Sequence, residues 1–228
     1  MVRRLVERAA GPAAGASAVL FAGLSALRGK RFFHPQGVAF SGHVAFRRSG
    51  FDLSFDGIRP AIARISRGAG FPEPLPDVFG LAVKIPDIGQ DLLLVTSGED
   101  AATRHMLIAT TGACSRPYSS VLPYELDGKL IVFGARPDVS LKGVPDQLGD
   151  MASLARGGSL RFDLTVGGAG TSETVVFASL TLEEELDEDV SFNPWNTVPG
   201  LKPAGALNRL RRETYESSQA ARPDGGPR

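Results

Sequence analysis

From about residue 36 the chain alternates. Phe40, Gly42, Val44 and Phe46 fall on one side of an extended segment, and Ser41, His43 and Ala45 on the other. That period of two is the mark of a half-buried strand. Further on, Leu160, Phe162, Leu164 and Val166 alternate with Arg161, Asp163 and Thr165; Gly167, Gly168 and Gly170 supply a turn, and residues 175–182 return as a second strand. These glycines are turn chemistry and not a phosphate cradle, because no helix follows them. "DVFGLAVKI" and "DLLLVTS" also read as strands, the first almost wholly apolar and so central. Residues 97–120 read as strand plus loop, and "EEELDEDV" as a solvated strand end. Helical segments are read in the two flanks. Val19, Leu20, Leu24 and Leu27 suit a packed N-terminal helix, while the text from Phe192 is proline-rich and extended, then helical from about Ala204. "PDGGPR" reads as a frayed, disordered tail. The predicted class is α+β: one antiparallel unit, a barrel or a sandwich, bracketed by helical and extended arms.

Composition narrows the function without naming it. The 228 residues suit one domain. Lys plus Arg and Asp plus Glu are each 25, so no basic surplus points to nucleic acid or anionic lipid. A single cysteine, Cys114, excludes an internal disulfide framework and fits a reducing, cytoplasmic compartment. His34, His43 and His105 lack the spacing of a multi-histidine metal centre. Arg3, Arg4 and Arg8 ahead of the apolar run 13–27 imitate a signal peptide. Glu7 in the basic region and the lack of a well-placed small-x-small site favour the packed helix, with secretion as the alternative. The run is also too short to span a bilayer.

One stretch near the C-terminus, "RRETYESSQAAR", raises a chemical question. At about 100° per residue, Arg211, Tyr215 and Arg222 project within about 40° of one another on one helical stripe. Two guanidiniums beside a phenol favour its anionic form. Taken alone, the stretch is better read as a half-buried aromatic with arginines snorkelling past it.

Three regions change that reading. "RFFHPQGVAFSG", "ARISRGAGFPEPLPDVFGLAVKI" and "FNPWNTVPGLKPAGALNRLRRETYESSQAAR" occur in this order. His34 is followed by Gly37 and Gly42; Arg64-Ile65-Ser66 precedes the segment Asp77 to Ile85; Phe192, Pro194, Asn196, Val198, Pro199 and Gly200 precede Arg211, Tyr215 and Arg222. Together, across residues 31–222, they resemble the three signature regions of the heme-dependent catalase family. The resemblance implies a catalase-like antiparallel β-barrel core. Residues 1–30 would form an N-terminal helix or arm, 31–190 the barrel with the distal side of a heme, 191–222 a wrapping arm and proximal helix, and 223–228 the tail.

The resemblance also implies roles. Tyr215 would be the proximal ligand of the heme iron, with Arg211 keeping its oxygen anionic. Arg31, Arg64 and Arg222 would hold the heme propionates, a task suited to the guanidinium fork. His34 would be the distal proton carrier between the two peroxide oxygens, and Ser66 its hydrogen-bonding support. Elsewhere the residues read as structural. His43 and His105 are partly buried strand positions, Trp195 and Phe71 core aromatics, Cys114 an inert small apolar residue, and Arg67 and Arg212 solvated charges.

The sequence departs from the family pattern over the iron. Aligning Asp91-Leu92 with the family's Asp-Leu puts Val95, with Thr96 beside it, where a distal asparagine belongs, and Phe33 stands before His34 where valine is usual. These departures imply a heme protein that reacts with peroxides mainly as a peroxidase, using an organic donor or an organic hydroperoxide, with weak or no catalase activity. The alternatives are a hydroperoxide isomerase or dehydratase resembling catalase-like allene oxide synthases, and a non-catalytic heme carrier or sensor. A homo-oligomer is compatible with the family's habits.

Overall fold

The computed structural model describes residues 36–49, 53, 55–187 and 190–204. The expected N-terminal helix, the expected C-terminal helix and the tail lie outside the described residues. Among the described residues the chain forms ten strands, one α-helix and three short 3-10 turns. The strands are β1 (Gln36–Phe46), β2 (Ile58–Arg67), β3 (Phe79–Ile85), β4 (Gln90–Thr96), β5 (Tyr118–Ser119), β6 (Tyr124–Leu126), β7 (Lys129–Pro137), β8 (Arg161–Gly168), β9 (Val175–Leu186) and β10 (Leu201–Pro203). The helix α1 spans Leu148–Arg156.

All neighbouring strands are antiparallel, and β7 pairs with both β5 and β8. The ring β7-β5-β4-β3-β2-β1-β9-β8 therefore closes on itself as an eight-stranded barrel, with β6 and β10 as a short extension beside β7. A barrel, and not a sandwich, resolves the sequence expectation. Closure leaves no free edge in the ring.

The interior follows from the alternation. Phe40, Phe79, Phe133 and Phe162 are buried with Ile65, Leu81, Val83, Leu94, Leu164 and Leu180 in one apolar cluster. A second aromatic group forms where Phe46, Phe55 and Phe177 meet, with ring centroids 5.0–6.4 Å apart. Gly42 is obligatory on β1, because a Cβ there would lie 2.1 Å from the carbonyl oxygen of Thr181 on β9. The β1–β9 register shifts just before this contact. The helix packs on β9 and β1 and adds Met151 and Ala155 to the core.

Arg67 corrects the sequence reading. It ends β2 on the inward-facing row and is fully buried, not solvated. Its guanidinium donates to the carbonyl of Leu75 at 2.6 Å and to Gln147 Oε1 at 3.3 Å, and lies over the Phe79 ring at 5.1 Å. Asp77, equally buried, places Oδ2 3.6 Å from its Nε, an ion pair too long to be a hydrogen bond. The same carboxylate accepts from the amides of Ala69 at 2.9 Å, Val78 at 2.7 Å and Phe71 at 3.1 Å. This pair therefore folds the loop between β2 and β3 back onto the barrel. Phe71 is a further correction: its amide is held by Asp77, which leaves the ring 48% exposed and outside the core.

Removing one partner of a buried ion pair strands the other charge. Asp77→Ala is expected to cost about 3–5 kcal/mol, read as a fall in the urea unfolding midpoint. A loss below about 1 kcal/mol would show that the pair does not organise this loop.

Candidate functional site

Strand alternation sends Arg64 and Ser66 to the outer face of the barrel while Ala63, Ile65 and Arg67 face in. Register then sets their neighbours. Gly37 on β1 is opposite Ser66, Ser66 is opposite Gly80 on β3, and Gly80 is opposite Val95 on β4. The next outward row is Ala39, Arg64, Ala82 and Leu93. Four strands thus present a platform of glycine, alanine and short apolar side chains that carries one guanidinium and one hydroxyl.

Gly37 is what gives these two groups room. A Cβ at position 37 would stand 2.7 Å from Arg64 Cζ and 2.7 Å from Ser66 Cβ. Ser66 is buried although it points outward, and Arg64 is half-buried. Arg31, His34, Arg211, Tyr215 and Arg222 lie outside the described residues. Of the seven predicted site residues, the structure brings together Arg64 and Ser66 on adjacent rows of one face.

Val95 and Thr96 have opposite fates. Val95 faces outward in the same row as Ser66, whereas Thr96 is fully buried, donates to the carbonyl of Ile108 at 2.8 Å and accepts from the amide of Phe79 at 3.1 Å. Thr96 therefore supplies no polar group to the platform.

The third signature region docks beside this face. Residues 190–204 are held at the turn end of the β3–β4 hairpin by its side chains. Asp91 Oδ2 accepts from the Asn193 amide at 2.7 Å and from Asn196 Nδ2 at 3.3 Å, while the Asp91 amide donates to the Asn196 carbonyl at 2.9 Å. Gln90 Oε1 accepts from the Val198 amide at 3.2 Å. Lys84 Nζ donates to the Ser191 carbonyl and lies 5.4 Å from the centre of the Phe192 ring. The segment then pairs as β10 with β6. Sequence reasoning treated Asn196 and Lys84 as signature positions and used Asp91 only as an alignment anchor. The structure makes the three a latch.

Burial raises the Asp91 carboxyl above its usual range, against the Asn193 amide, the Lys84 charge and the Asn196 side chain, all of which favour the anion. The remaining singled-out residues are structural. His43 Nδ1 lies 2.9 Å from Glu183 Oε1 on the outer face. His105 sits on a 3-10 turn and not on a strand, with its ring nitrogens 2.6 Å from the Val121 carbonyl and 2.9 Å from the Ala169 carbonyl. Trp195 is half-buried. Burial, aided by the Asp146 charge, pushes the Cys114 thiol up to about 12, which keeps it unreactive. Among the described residues, no group of three or more His, Cys, Asp or Glu side chains is placed to hold a metal ion, and no helix is long and apolar enough to cross a membrane.

No protein-family model matches this chain, and no curated protein matches it significantly.

The latch makes two measurable statements. Asp91→Ala is expected to speed amide exchange at Asn193 and Val198 at least about tenfold, since a lost charge-assisted bond is worth about 1.5–3 kcal/mol, while exchange in β7 and β8 stays unchanged. Unaltered exchange at both amides would refute the latch. A carboxyl whose folded pKa is raised contributes stability that is fully present below the unfolded value of 3.8 and is lost as pH rises through the folded value. Asp91→Asn removes a contribution that falls with rising pH, so from about pH 3 to 7 the variant should gain more stability, or lose less, than wild type, measured by urea unfolding.

Proposed function

We propose that the chain is a heme protein that reacts with peroxides, acting chiefly as a peroxidase on an organic donor or organic hydroperoxide, with weak or no oxygen release from hydrogen peroxide. The observation that carries this reading is the outer-face platform. Positions that the resemblance assigns to one side of a heme, Arg64 and Ser66, fall on adjacent rows of one face. The glycines and alanines around them leave the face flat, and the arm leading toward Tyr215 is latched alongside. A flat, largely apolar face that carries a guanidinium fits a porphyrin and one of its carboxylates. The clearance at Gly37 fits too, because a side chain there would displace both polar groups.

When bound, heme would supply the redox-active iron that accepts oxidising equivalents from a peroxide. Tyr215 would hold it through an anionic oxygen, with Arg211 keeping the phenol deprotonated. Arg31, Arg64 and Arg222 would bind the propionates. His34, three residues before Gly37 in sequence, would take a proton from one peroxide oxygen and return it to the other, and Ser66 would hold the imidazole for that transfer. Val95 would leave its part of the pocket apolar. A second hydrogen peroxide would then lack the polar anchor needed for its own oxidation, whereas an apolar hydroperoxide or donor would not.

Val95 also supports the second reading, a hydroperoxide isomerase or dehydratase, since an apolar distal side suits a fatty acid hydroperoxide. Product analysis distinguishes the two: oxidised donor with an alcohol for the peroxidase, rearranged or dehydrated acyl product without donor consumption for the isomerase. A cytoplasmic location and homo-oligomeric assembly accompany the proposal as expectations.

The spectrum of protein expressed with heme supplied tests the premise. Wild type should show a high-spin ferric spectrum characteristic of an anionic oxygen ligand, and Tyr215→Phe should lose or alter it; identical spectra would sink the proximal assignment. Restoring a donor on the platform tests the reaction. Val95→Asn is expected to raise oxygen evolution from hydrogen peroxide about tenfold or more relative to donor oxidation. Wild-type oxygen evolution at the rate of a large catalase, without donor oxidation, would contradict the peroxidase reading.

A further inference from the structure

Next to the platform around the barrel, where Ser119 on β5 pairs with Val95 on β4, residues of β5, β7 and β8 line a small cavity. Its volume is about 30 Å³, and its walls include Arg104, Arg136, Ser119, Thr165, Thr174 and Gly134. We propose that this cavity is a binding site for one small anion, a halide or a single carboxylate or phosphate group, with the Arg104 guanidinium as its principal ligand.

Arg104 is a buried cation that forms no ion pair among the described residues. Arg104 lies on the 3-10 turn Thr103–His105 and is only 4% exposed. Its Nη2 donates to the carbonyls of Glu99 at 3.0 Å and Ser172 at 3.1 Å. Among the described residues its Nε and Nη1 have no hydrogen-bond partner. No carboxylate among the described residues lies within ion-pairing distance of it. The nearby carboxylates are already committed: Asp100 Oδ1 accepts from the amides of Ala102 and Thr103 at 2.9 and 2.8 Å, and Glu99 Oε1 accepts from Arg136 Nε at 3.1 Å. A guanidinium cannot shed its proton to escape burial as an imidazolium or an ammonium can. Two buried donors on a permanent cation call for an acceptor, and an anion meets both needs at once.

The surroundings are built to admit one. Arg136, which also donates to Thr174 Oγ1 at 3.0 Å, adds a second positive charge whose partner Glu99 is 60% exposed at its side chain. Two glycines keep the space open. A Cβ at Gly134 would come within 2.7 Å of Thr165 Oγ1, and one at Gly167 within 3.2 Å of Arg104 Nη1. The space is more than enough for one water, so it admits a halide or one oxyanion head. Desolvation and the Arg136 charge weigh against the Arg104 cation, the Asp100 charge favours it, and a bound anion would add to that favourable side.

The test uses the full-length chain at constant ionic strength, with sodium gluconate replaced stepwise by bromide, phosphate or acetate. The expected result is a saturable rise in the unfolding midpoint with at least one of these small anions. Arg104→Gln should weaken the apparent affinity at least about tenfold, the equivalent of one charge-assisted hydrogen bond, and Arg104→Lys should retain most of it. Equal responses in wild type and Arg104→Gln would overturn the site. Should Arg104→Gln not fold, wild-type crystals grown in bromide decide the matter. An anomalous peak within hydrogen-bond reach of Nε or Nη1 supports the site, and a cavity holding only water refutes it.

Discussion

The pairing of β7 with β8 is the constraint on which the rest depends. It turns a run of antiparallel strands into a ring, and a ring has an inside that must be filled and an outside that need not be apolar throughout. Once the inside is fixed by Phe40, Phe79, Phe133 and their neighbours, the period of two fixes which residues remain on the outside. Arg64 and Ser66 face outward because Ala63 and Ile65 are required within. A slip of one residue in β2 would bury the guanidinium of Arg64 and expose the aliphatic row. The platform is thus the reverse side of the core.

Charges placed against this geometry are used to tie loops down. Asp77 gathers three amides and faces Arg67 at the end of β2, so that the turn into β3 closes over a buried cation. Asp91 does comparable work at the next hairpin, where it gathers the amide of Asn193 and the side chain of Asn196. In each case a desolvated carboxylate is tolerated because several donors converge on it. Two of the three signature regions are therefore in direct contact through Lys84 with Ser191 and Phe192. That contact gives the shared order of these regions a physical meaning that does not depend on a cofactor: they form one side of the barrel. Arg104 is the counterexample, a buried cation to which the described chain offers only carbonyls.

Much of the fold was legible. The alternation in β1, β8 and β9 matches the observed faces, and the three glutamates after Leu182 continue β9 as a solvated end. The hairpin of β6 and β7 was harder to read, although Asp127-Gly128 adopts the left-handed backbone of a two-residue turn. The reason is local: Leu130, Ile131, Val132 and Phe133 form a continuous apolar run, and such a run has no period to distinguish strand from helix. Arg67 was misread for a related reason. A charged residue ending a strand is usually at the surface, and only the approach of Asp77, Glu73 and Gln147 from elsewhere in the chain makes its burial tolerable.

By itself the sequence determined the strand-rich class, the faces of the principal strands, the extended character of the segment after Phe192 and the set of residues worth suspecting, because these follow from periods and residue types along a single stretch. Tertiary structure alone decided that the sheet closes, that Gly37, Ser66, Gly80 and Val95 share one row, that Thr96 turns inward while Val95 does not, and that Arg104 is stranded beside Arg136. Each of these is a relation between residues distant in the chain. Such relations are set by strand register and desolvation, neither of which leaves a mark on any one segment.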